Sequence, residues 1–76
     1  MLSENIMTFA GLFLNKKGYI TPIELQKFIM GREEVGKAVA IEDIEKALDT
    51  MRYAGWLNVA PDRNSLYSVY TRNMPK

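Results

Sequence analysis

The sequence has no cysteine and no histidine, and its 76 residues include only three prolines and one tryptophan. Without cysteine there is no disulfide framework and no thiol nucleophile. Without either residue type the common zinc sites, the Ser-His-Asp triad and the commonest general base are excluded. Charge of one sign is also lacking: ten Lys and Arg against nine Asp and Glu leave +1, whereas a dedicated DNA-binding domain is visibly basic. No apolar run approaches the roughly 18 residues of a membrane-spanning helix. The longest apolar neighbourhood, Phe9 to Leu14, contains Gly11 and ends in Asn15-Lys16-Lys17. No basic region precedes an apolar stretch at the N-terminus, so a secretory signal is not read there. Walker-type and G-x-G-x-x-G spacings are absent, as is the spacing of a calcium loop. The expectation is a non-enzymatic binding module, cytoplasmic, with no cofactor, no metal and no membrane partner, because a chain this short seldom encloses a deep, water-excluding cavity.

What is present reads as one domain over residues 1–76. A chain of this length buries only about 60% of its unfolded surface, so close packing must hold it. Ser3 is a good cap for a first helix over about 3–15, with Ile6, Phe9, Ala10, Phe13 and Leu14 on one face and Asn15-Lys16-Lys17-Gly18 ending it. Gly18-Tyr19-Ile20 is too short for an independent strand but suits a bridge to a sheet edge. Thr21-Pro22-Ile23-Glu24 reads as a capping box with proline at the first helical position. It opens a second helix over about 22–30, with Ile23, Phe28 and either Ile29 or Met30 inward. Gly31 to Ala40 is read as a partly helical connection that reorients the chain, since Gly31 and Gly36 each disfavour a continuous helix. A third helix spans about 41–54, with Ile41, Ile44, Ala47, Leu48 and Met51 inward and Gly55 closing it. The period then changes to that of strands: about 56–59 and 66–71, separated by the turn-rich Ala60-Pro61-Asp62-Arg63-Asn64-Ser65. Trp56 is read as core, and the methionines Met1, Met7, Met30, Met51 and Met74 as adaptable core filling.

The order helix, short strand, helix, helix, hairpin resembles the winged-helix group of the helix-turn-helix class over nearly the whole chain. The closest stretch is Ile41 to Thr71, where an amphipathic helix runs into Ala54-Gly55-Trp56-Leu57 and then two strands. With the capped helix at Thr21-Pro22-Ile23-Glu24, it is similar to small winged-helix units attached to plasmid and phage replication proteins. The resemblance implies an α+β fold, a three-helix core with a C-terminal β-hairpin wing. It also implies a role in replication or transcription of a mobile element. In that family the third helix reads the major groove and the wing contacts the backbone or minor groove.

The third helix departs from this pattern, since Glu42, Asp43, Glu45 and Asp49 would face phosphate. Glu42–Lys46 and Asp49–Arg52 are also ordinary helix-surface pairs. The charge is unevenly spread: residues 41–50 carry −3 and residues 51–76 carry +3. The candidate nucleic-acid-binding residues are Arg63, Asn64 and Arg72 of the wing, Arg52 and Lys46 of the third helix, and Lys37 before it. Tyr67 and Tyr70 join them because strand alternation places them on opposite faces, so one of the pair is left for stacking on unpaired bases. The partner is then DNA, single- or double-stranded. The alternative is a basic protein partner docked on Glu42, Glu45 and Asp49. A monomer is expected in isolation, because no dimer helix follows residue 71.

Overall fold

Residues 3–32, 39–60 and 68–73 are described by a computed structural model. The first helix, α1 (Ser3–Lys17), buries Ile6, Ala10, Phe13 and Leu14 at three- and four-residue spacing. It runs through both lysines, whose charges complement its last carbonyls. Gly18, at φ +83, then donates its N–H to the Leu14 carbonyl at 2.7 Å, the left-handed cap that only glycine adopts without strain. The side chains of Ser3 and Glu4, on which the expected first cap rests, lie outside the description.

The second helix, α2 (Pro22–Met30), begins at Thr21 in extended conformation, with Pro22 at its first position. The capping box does not form as expected. The Thr21 hydroxyl donates to Glu24 Oε1 at 2.9 Å and not to the backbone, and the Tyr19 hydroxyl donates to Glu24 Oε2 at 3.2 Å. Glu24 is thus an acceptor for two hydroxyls, and its hydrogen bond and charge push the Tyr19 pKa up. The inward stripe is Pro22, Leu25 and Ile29. Of the expected inward residues, Ile29 is fully buried and Phe28 packs half-buried against the core, whereas Met30 is exposed, Ile23 is half-buried, and Leu25, not expected inward, is fully buried. Proline fixes the start, and the residues three and seven positions later fall on its side.

The lead-in to the third helix, α3 (Ile41–Tyr53), is held when Gln26 Nε2 donates to the Val39 carbonyl at 2.8 Å. This helix buries Ile44, Ala47, Leu48 and Met51, with Ile41 at the margin. It ends in a Schellman motif: the Gly55 N–H bonds the Arg52 carbonyl at 2.9 Å and the Trp56 N–H bonds the Met51 carbonyl at 2.9 Å, with Gly55 at φ +86.

Two strands follow, β1 (Leu57–Ala60) and β2 (Val69–Arg72), paired antiparallel with Leu57 opposite Arg72 and Val59 opposite Tyr70. The first begins one residue later than expected, since the closing turn of α3 uses Trp56; Leu66 and Tyr67 of the expected second strand lie outside the described residues, and Ser68 precedes β2. The anticipated bridge is present: Ile20 and Tyr70 exchange two backbone bonds of 2.8 Å, tying the α1–α2 connection to the hairpin. The architecture is α+β, three mutually packed helices followed by a C-terminal antiparallel hairpin. Its core joins Ile6, Phe13, Leu25, Ile29, Ile44 and Leu48 to Leu57 and Tyr70 of the sheet. Phe13 anchors an aromatic group, edge-on to Tyr19 at 6.4 Å and to Phe28 at 5.4 Å, and the Arg32 guanidinium lies over Phe9 and Phe28. Among the described residues no helix is long and apolar enough to cross a membrane. Of the five methionines, Met51 is buried, Met7 is half-buried and Met30 is exposed; Met1 and Met74 lie outside the described residues.

Candidate nucleic-acid interface

Strand alternation puts one of Trp56 and Leu57 inside, and the structure selects Leu57. Trp56 is 60% exposed, against the expectation that it fills the core. The cause is the Schellman turn, which places Trp56 beside Met51 at the surface and aims the next residue inward. Tyr53, the last residue of α3, is 79% exposed, and the Arg52 guanidinium lies 5.0 Å from its ring centroid. Lys46 stands seven residues, two helical turns, before Tyr53, so the two share an outward face with Thr50, whose hydroxyl donates to the Lys46 carbonyl.

Tyr70 is the second correction. Expected as a candidate stacking residue, it is 4% exposed and belongs to the core, because the bridge to Ile20 turns its face of β2 onto the helices. Burial, followed by the nearby Asp49 carboxylate, pushes its pKa up, and Arg52 opposes this. Its hydroxyl donates to Asp49 Oδ1 at 3.5 Å. Of the acids proposed for a protein partner, Glu42 is exposed, whereas Glu45 and Asp49 are half-buried on the side of Tyr70.

Arg72 is exposed at the end of β2 and donates through Nη2 to the Asn15 side-chain oxygen of α1. Next to it, Asn73 closes the base of the hairpin: its side chain donates to the Gly55 carbonyl at 2.8 Å and its backbone N–H to the Trp56 carbonyl at 3.0 Å. Between α1, the α3–β1 turn and β2 lies an open groove of about 370 Å³, in which Trp56 and Arg72 meet Gly11 and Leu14. The structure thus pairs Arg52 with Tyr53 at the end of α3 and, separately, Trp56 with Arg72 in the groove. Lys37, Arg63, Asn64 and Tyr67 lie outside the described residues. Sequence reasoning missed Trp56 as a surface residue, although glycine one position before it and leucine one after carried the signal. Among the described residues no group of His, Cys, Asp and Glu is placed to hold a metal ion. Comparison of the chain with family models, curated proteins and solved structures gives no match.

Proposed function

We propose that the chain is a winged-helix module that binds nucleic acid, DNA above all, within a replication or transcription assembly. The observation that carries this reading is the pair of exposed aromatics at the exit of α3, Tyr53 and Trp56, with the Arg52 guanidinium over the tyrosine ring. Rings held at a surface beside guanidinium groups suit bases and phosphates together. The layout supports it as well, since a helix–bridge–helix–helix–hairpin order is that of winged helices. Arg52 and Arg72 supply charge from the described residues, and Arg63 and Asn64 of the connecting segment are proposed to add to it. Asp49, engaged with the Tyr70 hydroxyl, is less available to a basic partner than the sequence suggests.

The test is fluorescence anisotropy of labelled single-stranded and duplex oligonucleotides. Two or three phosphate contacts give a fall in affinity of roughly tenfold to fiftyfold between about 50 and 200 mM salt. Arg52→Ala and Arg63→Ala are each expected to weaken binding. No association of either oligonucleotide at about 100 μM, weaker than ordinary non-specific binding, rejects the reading and moves attention to a basic protein docked on Glu42, Glu45 and Asp49.

A further inference from the structure

The groove beside Trp56 contains a residue that the fold does not ask for. Gly11 sits in the middle of α1, where glycine is the poorest helix former after proline. Its backbone is ordinary helix, and a Cβ built there meets no atom within 4 Å. Neither conformation nor packing requires glycine. What its bare backbone does is leave depth in the groove that Leu14, Met51 and Leu57 floor with apolar atoms.

Trp56 forms one side of the same groove. Its Schellman position calls for a hydrophobic contact with Met51, which a smaller side chain would also make, yet an indole stands there with 60% of its surface exposed. Arg72 is the one charged residue among the lining residues described, and no carboxylate is among them. Its bond to Asn15 fixes the guanidinium at the rim. A flat aromatic wall, an apolar floor and a single positioned cation match an aromatic ring attached to an anion.

We infer that this groove seats an unpaired base of single-stranded nucleic acid, stacked on the Trp56 indole, with Arg72 on a flanking phosphate. The inference rests on the nucleic-acid reading and deepens it by naming the seat and the form of the strand. A duplex keeps its bases stacked on one another and offers none to the indole, so the groove discriminates by strandedness.

Trp56 is the only tryptophan, so its emission reports this groove alone. The experiment titrates the whole chain with a labelled oligothymidylate of about twelve nucleotides and with a duplex of equal length, following label anisotropy and tryptophan emission together. The single strand is expected to quench Trp56 and to bind more tightly than the duplex. Gly11→Leu fills open space with a better helix former, so it is expected to keep or raise the thermal midpoint while lowering affinity for the single strand at least about tenfold, the scale of one lost stack. Arg72→Gln is expected to reduce the salt slope by about 0.7, one phosphate contact.

Binding by anisotropy with unchanged Trp56 emission, and equal affinity for Gly11→Leu, would overturn the groove as the seat and leave the nucleic-acid reading standing. Tighter binding of the duplex would overturn the unpaired base. Absence of any anisotropy change with either oligonucleotide would remove both proposals. Quenching by an acidic, aromatic-ended peptide without quenching by the oligonucleotide would overturn the inference in favour of a peptide-docking groove.

Discussion

At the scale of single residues, Tyr70 joins the hairpin to the electrostatics of α3. Its ring is in the core, its hydroxyl reaches Asp49, and its pKa is raised chiefly by burial. A raised tyrosine pKa means that the folded chain holds the phenolic proton more tightly than the unfolded chain. Stability from this group is therefore complete below the unfolded value of about 10 and is lost as pH rises towards the folded value. Tyr70→Phe is expected to cost no more than about 1 kcal/mol near neutral pH, because the bond to Asp49 is long. It should also flatten the alkaline loss, leaving the share of Tyr19, whose pKa is raised by Glu24. Urea titrations of both proteins across pH 7 to about 11 measure this. A variant as alkali-sensitive as the parent would show that Tyr70 is not the group responsible.

At the scale of elements, two glycines make opposite predictions. Gly55 holds the Schellman turn at φ +86, so Gly55→Ala should destabilise by about 1–2 kcal/mol. Gly11 has helical backbone and open space, so Gly11→Ala should stabilise by about 0.5–1 kcal/mol. Denaturant midpoints compared at equal slope would show the two signs. The glycine caps at Gly18 and Gly55 were legible in the sequence because a cap is a local event, complete within a few residues. So were the inward faces of α1 and α3, whose apolar residues repeat at helical spacing. The inward face of α2 was less legible: nine residues offer too few repeats to separate the Leu25–Ile29 stripe from Ile23 and Phe28. Trp56 departs from the core position its size suggests because the alternation after Gly55 puts Leu57 inside. Tyr70 stood undecided between two strand faces because the contact that settles it, with Ile20, comes from another part of the chain.

At the scale of the whole molecule, the three helices and two four-residue strands among the described residues share one core cluster. A domain of this size rarely gains more than about 3–5 kcal/mol from such a core. Leu48 is fully buried at its centre, and Leu48→Ala should remove about 2–5 kcal/mol, most of that total. The thermal midpoint is expected to fall by at least about 10 °C; a smaller shift in the circular dichroism melt would mean that the surroundings close over the lost side chain. The bridge between Ile20 and Tyr70 has a consequence for the chain as it is made. At about 5–20 residues per second, translation delivers Tyr70 roughly 3–10 s after Ile20. Helices form in about a microsecond. Of the described elements β2 is made last, so α1, α2 and α3 are complete roughly 1–3 s before Val69 is added, and their apolar faces wait that long for the strand that covers them.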